Sequence, residues 1–494
     1  MAAPAPAAIT QPRRPFRPAL LVAATLGAGC VAQVLMGAFW WLRNLDVVPA
    51  YGDTTDYLNL AQTLHVDQYR TILYPAMLRG DELLAALVHV GYVPMLYVAQ
   101  TVTALVAALW ACATAWELAA RCVNGMLAVR PAVRRLVITS AALFIVTTPL
   151  VLHFAETVLT DSFAASFLVS ATTGVVRVAV LRDLRLRTLS VTLVMVAAAE
   201  LMRPEKLYVL TAVCGVAILV SLIARAPHRV AAAATLVLLA VVPAVAVRQV
   251  NIATQTADYG RAPLGVNYIL FSRITWPHMT AILPLLPADG RRAVSAQEAA
   301  AYDQGINTES VLYDQLVHAA GGSTRLVNET IAAGLRCCWR DVLSGTSYDA
   351  LQYEGATYSY PIGWLLDGQE TGWTASRMAR AHPGLTHVYV GVATVVLLLV
   401  LTPLFLLWCA RSVRRPNGAI VATLVVVAVA TLVNTALFAL LTGQGYNPRY
   451  ALPTYMLTGI FVLAGALAAA ADLQGWPAQP ERRQVSEPAA PAAV

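Results

Sequence analysis

Long apolar runs separated by short polar stretches make up most of this chain. Ten of them stand out, at 19–41, 93–116, 136–154, 160–181, 188–202, 207–224, 230–248, 385–409, 418–441 and 451–471. A membrane-spanning helix needs about 20 apolar residues. These runs are apolar around the whole helix circumference, which suits helices embedded in lipid or buried in a bundle. The pattern predicts an all-α polytopic membrane protein with about ten transmembrane helices. It also predicts interfacial helices in the first outer loop and a large extracytoplasmic loop of mixed structure.

The arginines orient these spans. Arg13, Arg14 and Arg17 precede the first run, and Arg121, Arg130, Arg134 and Arg135 follow the second. Arg182, Arg185 and Arg187 follow the fourth, Arg225 and Arg229 the sixth, Arg411, Arg414 and Arg415 the eighth, and Arg482 and Arg483 the tenth. With ten spans all of these fall on one side, and positive loops mark the cytoplasmic side. The expected division is then a disordered cytoplasmic tail (1–18), a seven-span module (19–248) with an outer loop at 42–92, an extracytoplasmic loop domain (249–384), a three-span module (385–471) and a second disordered cytoplasmic tail (472–494). The first run is too long for the ~7–15-residue core of a signal peptide, so it reads as a retained anchor.

The first outer loop carries a second kind of pattern. Within YGDTTDYLNLAQ, Tyr57, Leu60, Ala61 and Leu64 recur at helical spacing and give one apolar face, with Asn59, Gln62, Thr63 and Asp67 on the other. A short amphipathic helix beside a span lies in the membrane interface. Locally, Asp53 reads as an N-cap and Asp56 as its partner three residues on, which the helix dipole favours. Tyr74-Pro75, in RTILYPAML, ends this helix and starts another, and 81–90 predicts a second interfacial helix leading into span two.

Asp53-x-x-x-Tyr57-x-x-x-Ala61 followed by Arg70-Thr71-x-x-Tyr74-Pro75 resembles the first extracytoplasmic loop of GT-C glycosyltransferases. The branch it is most similar to holds the protein O-mannosyltransferases and the lipid A aminoarabinose transferase. The resemblance implies transfer of a sugar from a polyprenyl-phosphate donor to a hydroxyl acceptor on a glycan, protein or lipid, at the outer face of the membrane. It implies that Asp53 is the catalytic base, with Asp56 more a support of the helix start. The family often carries Glu next, where this chain has Thr54.

Other polar islands fall on the same side. Glu156 and Asp161 lie in HFAETVLTDSFAASF, where a charge at bilayer depth costs about 2.5–3.5 kcal/mol. Each reads either as a structural cap or as an acid that orients base or acceptor. Arg203-Pro204 in ELMRPEKLY resembles the family's Arg-Pro pair, and Glu200 is placed to pair with Arg203 or Lys206. Arg449-Tyr450 with Pro453 resembles its C-terminal Arg-Tyr-x-x-Pro signature. Arg449, Arg203 and Arg70 are therefore candidates for holding the donor phosphate, since a guanidinium can grip phosphate with two parallel hydrogen bonds. The metal requirement is open: if a divalent cation such as Mg or Mn takes part, Asp53 and Asp161 are its expected ligands. In the large loop, Tyr268, Arg273, Trp276 and His278 suit either a sugar-binding surface or the packing of a small domain.

Composition sharpens this picture. Mean hydropathy is +0.63, and charged residues make up 12% of the chain, against about 25% in soluble domains. The net charge of +7 comes from arginines that punctuate apolar runs, which argues against a nucleic-acid partner. Lys206 is the only lysine. The seven cysteines show no framework, and the adjacent Cys337 and Cys338 pair poorly on geometric grounds, so no structural disulfide and no sulfur-based metal site is expected. The Ala- and Arg-rich usage suggests a high-GC bacterium, hence a cell-envelope role in the plasma membrane with both termini cytoplasmic. The competing reading is a membrane transporter of a lipid-linked or small polar substrate. A transporter would place its ionisable residues mid-span and show repeated halves, whereas these acids cluster at span ends. A non-catalytic scaffold is the third class.

Overall fold

The computed structural model describes residues 17–47, 52–64, 70–122, 130–223, 228–254, 266–367, 381–396, 403, 406–407, 418–441 and 452–473. Its elements are helical throughout these residues. A helix lies on each of the ten apolar runs as far as the described residues reach: α1 (Arg17–Asn44), α4 (Tyr92–Cys122), the pair α5 (Pro131–Val146) and α6 (Pro149–Ala155), α7 (Asp161–Val176) with its π-type turn (Arg177–Leu181), α8 (Leu186–Met202), α9 (Lys206–Ile223), α10 (Arg229–Thr254), α17 (Pro383–Thr394), α18 (Gly418–Leu441) and α19 (Leu452–Leu473). Among the described residues, four helices are long and apolar enough to cross a membrane, or five if the α5–α6 pair is one broken span.

That break has a local cause. Pro149 lacks an N–H and cannot continue the helix ladder, and it pushes Thr148 to an extended conformation. The freed carbonyls find other donors. Ile145 O accepts from the Thr148 hydroxyl at 2.6 Å, and Thr147 O accepts from Gln33 Nε2 at 2.6 Å and from the Tyr389 hydroxyl. The two helices meet at 69°. Side chains from α1 and α17 thus fasten the bend in place.

The first loop holds α2 (Gly52–Thr63) and α3 (Leu73–Leu87). α3 is longer than expected, because Pro75 falls in its first turn, where the missing N–H costs no bond. Beneath the two helices lies a small core of Ala61, Tyr74, Leu78, Leu96, Tyr97, Val158, Phe163, Ala164 and Met202. It seats α2 and α3 on α4, α7 and the end of α8.

The large loop is a helical subdomain over its described residues, not the mixed structure that its sequence suggests. It comprises α11 (Val266–Thr275), α12 (Met279–Ile282), α13 (Ala288–Ala293), α14 (Ala296–Asp303), α15 (Glu309–Ala319) and α16 (Arg325–Asp367). Local signals account for this. Ser295 and Glu298 form a reciprocal capping box on α14, and Asp303 accepts from the N–H groups of Met279 and Thr280 at the start of α12. A core of its own, including Phe271, Ile282, Tyr302, Leu312, Leu316 and Val327, holds the helices together.

One expectation is overturned in α16, where Cys337 and Cys338 are joined by a disulfide. The backbone at Cys338 leaves helical geometry (φ −126°, ψ 17°), and this local kink is what lets two neighbouring sulfurs meet.

The main bundle packs tightly where α7 meets α8. A Cβ on Gly174 would collide with the Thr192 side chain, whereas one on Gly215 of α9 would meet nothing within 4 Å. Gly174→Ala is expected to destabilise the chain by about 1–3 kcal/mol through overpacking. Gly215→Ala should instead stabilise it by roughly 0.5–1 kcal/mol, the ordinary gain of alanine in a helix. Thermal midpoints of the two variants in detergent, shifted in opposite directions, check this.

Candidate active site

Five segments far apart in the chain meet at one end of the bundle. α2 begins at Gly52, which puts Asp53 in its first turn and not in the flanking cap position. Asp56 follows on the same turn. Arg70, in the segment between α2 and α3, reaches both. Its Nη2 lies 2.8 Å from Asp56 Oδ2 and 3.4 Å from Asp53 Oδ1. The same guanidinium stacks over the Tyr57 ring, 5.2 Å from its centroid. Arg70 is therefore held by two carboxylates and an aromatic face, and the closer carboxylate is Asp56.

Tyr57 carries the connection inward. Its phenol lies beside the side chain of Thr160, in the turn between α6 and α7. Burial pushes that phenol up, while the Arg203 guanidinium, the Thr160 side chain and the Arg70 guanidinium pull it back. Thr160 Oγ1 also accepts from Arg203 Nε at 3.0 Å. Arg203 sits in the turn between α8 and α9, in an extended conformation (φ −147°, ψ 109°) of the kind a following proline imposes. Its Nη2 lies 2.8 Å from Asp161 Oδ1, and its Nη1 lies 3.1 Å from Glu205 Oε1.

The Arg203–Asp161 pair is buried, with side-chain exposures of 14% and 3%. Asp161 stands in the first turn of α7, where the helix dipole favours negative charge. Its Oδ2 is buried without a hydrogen-bond partner. Two further bonds tie α2 and its flank to these turns. Thr54 Oγ1 donates to Val158 O at 3.5 Å, and Thr71 Oγ1 donates to Leu201 O and, at 3.5 Å, to Met202 O. Behind Arg203, the buried Lys206 donates to Asn434 Oδ1 of α18 at 2.8 Å, and Asn434 Nδ2 lies 3.5 Å from Thr454 of α19. A polar seam thus runs from the exposed Asp56 to the C-terminal helices.

The structure brings together Asp53, Asp56, Arg70, Asp161 and Arg203 among the expected site residues. Glu156 shares the α6–α7 turn but is not joined to this group by any ion pair or side-chain hydrogen bond among the described residues. Its Oε1 is buried with no hydrogen-bond partner, and burial holds its carboxyl well above the usual range. Glu200 does not emerge as the partner of Arg203, whose carboxylates are Asp161 and Glu205; Glu200 Oε2 is buried without a partner. Arg449, Tyr450 and the rest of the last turn lie outside the described residues. Of the large-loop candidates, Tyr268 packs edge-on against Tyr313 in the subdomain core, Arg273 lies against Gly345, and Trp276 is exposed.

Tyr57, Thr71, Thr160, Glu205, Lys206 and Asn434 were not among the expected site residues. A faint signal existed for two of them: Lys206 is the sole lysine, and Tyr57 recurs at helical spacing with Asp53. For Thr160 and Asn434 no local pattern distinguishes them from ordinary helix-flanking residues.

The donor set does not fit a divalent cation. Asp53 and Asp161 are each paired with an arginine, and among the described residues no three His, Cys, Asp or Glu groups stand together. Hard dications prefer several oxygens free of competing cations. Comparison with family models, curated proteins and solved structures finds no match.

Two outcomes are expected from this geometry. Arg203→Gln leaves Asp161 buried and uncompensated, a change that costs about 3–5 kcal/mol. Adding Asp161→Asn should recover much of that loss in thermal unfolding, because the stranded charge is gone. Glu156 gives a pH signature. Its folded carboxyl keeps the proton at pH values where the unfolded chain has released it, so this stability is complete below the usual carboxylate pKa and is lost as pH rises. The thermal midpoint should fall as pH rises above the usual carboxylate range, and Glu156→Gln should flatten that fall.

Proposed function

We propose that the chain is an integral membrane glycosyltransferase, moving a sugar from a polyprenyl-phosphate donor to a hydroxyl acceptor at the extracytoplasmic face. The observation that carries this reading is the meeting of Asp53, Arg70, Asp161 and Arg203 at one junction of the bundle, from chain positions that only folding brings together. Carboxylates and guanidiniums at one site are what the chemistry needs. An acceptor O–H must lose its proton as oxygen attacks the anomeric carbon, and the departing phosphate must be stabilised as the sugar–phosphate bond breaks.

In this reading Asp53 takes the proton. Its contact with Arg70 is the longer of the two, so Arg70 is anchored chiefly by Asp56 and leaves Asp53 nearer to a base's role. Arg70 and Arg203 form the positive pole on which the phosphate's developing charge falls, with Arg449 as a further candidate. Asp161 fixes Arg203 from beneath and supplies the outer-face acid that orients the acceptor. Ten spans, cytoplasmic termini and an extracytoplasmic site complete the proposal, and the arginine distribution supports them. The donor's lipid reaches such a site laterally from the bilayer, and direct displacement with inversion is the course the residues suit. No step runs through a metal ion.

Transfer of labelled sugar in vesicles tests the assignment. Asp53→Asn is expected to lower the rate by about 10²-fold or more, the scale of a lost general base. Asp56→Asn should lose far less. Near-wild-type turnover by a folded Asp53→Asn chain overturns the reading.

A further inference from the structure

Among the described residues of the loop subdomain, one face of α16 is left exposed. Along the first part of α16, Ala333, Gly334, Cys338 and Val342 face inward, and Gly334 lets Ile274 and Ile282 approach where a side chain would block them. On the outer side Leu335, Trp339 and Leu343 recur every four residues and are 45%, 51% and 55% exposed. Large apolar side chains in a row of this kind are costly in water. Arg336 and Arg340 lie beside the row, both exposed, and the Arg340 guanidinium sits 5.5 Å from the centroid of the Trp339 ring. Asp341 and Ser344 occupy the other exposed flank. The three kinds of residue are sorted around the helix: apolar, then basic, then acidic and polar.

We propose that this flank of α16 rests in the headgroup layer of the membrane the chain spans, with Leu335, Trp339 and Leu343 dipping toward the acyl chains and Arg336 and Arg340 on lipid phosphates. The inference rests on the membrane reading of the bundle. Two observations select lipid over a protein partner. The first is charge: two guanidiniums border the apolar row, so the boundary between apolar and charged groups runs along the helix as a membrane surface demands. The second is proximity: α16 packs against α17, α18 and α19, so the helix that bears the row is fastened to three of the apolar helices. Tryptophan at the row's centre suits the interface, where an amphipathic ring is at home. The subdomain then lies flat on the bilayer beside the site and does not stand away from it.

Spin labels on a keto amino acid placed at positions 339, 106 and 304 of the full chain in phosphatidylglycerol vesicles test this. Val106 is an exposed position in the middle of α4, and Gln304 an exposed position in the loop subdomain. The expected result is that the label at 339 collides with oxygen more than with a water-soluble nickel complex, as at 106 and unlike 304. Arg336→Glu with Arg340→Glu should shift the 339 label toward the aqueous value. A 339 label as nickel-accessible as 304, with 106 still in lipid, overturns the proposal and leaves the membrane reading standing. A 339 label shielded from both reagents shows a protein contact and also overturns it. Nickel access at both 339 and 106 removes the membrane reading and the proposal together.

Discussion

The Arg203–Asp161 pair is the interaction on which the candidate site depends. A carboxylate and a guanidinium taken out of water cost several kcal/mol each, and only close geometry offsets that. The geometry here comes from two helix ends. Pro204 stops α8 and holds Arg203 in an extended conformation, and the first turn of α7 presents Asp161. Thr160 accepts from Arg203, and Thr54 and Thr71 tie α2 and its flank to the same two turns, so the position of α2 is referred to the same pair. A shift in either helix end would move the acids of the first loop with it.

Much of the bundle was legible because its cause is local. Apolar runs of span length become helices wherever nothing interrupts them, and the run at 418–441 coincides with α18. Where a proline intervened, the run misled: 136–154 reads as one span, and Pro149 makes it two helices at a steep angle. The loop subdomain was misjudged because most of its helices before α16 are short, and two of them are capped by Ser295 and Asp303, so they have no long period to detect. The joined Cys337 and Cys338 were missed for a similar reason, since the kink that permits the bond is a backbone feature. In the site, acids and arginines were visible as costly residues beside spans. Thr160 and Asn434 were not, because a neutral side chain advertises no cost until its partner is known.

Two cores divide the labour. The bundle core joins α1 and α4 to α10 with α17 to α19, while the loop subdomain has its own. A third, smaller core under α2 and α3 borrows from α4, α7 and α8. The candidate site lies over this third core. Its residues are therefore held by packing that is neither a free loop nor the deep bundle, and Arg70 is held by a few named contacts.

The single lysine has one more consequence. Lys206 is fully buried behind Arg203, so every exposed cationic side chain other than histidine is a guanidinium. Guanidiniums keep their charge beyond about pH 12. The positive surface is thus insensitive to alkaline titration. Amine-directed acylating reagents meet no accessible side-chain target while the seam between Asp56 and Asn434 is closed. Acylation of Lys206 becomes a chemical clock for the opening of that seam.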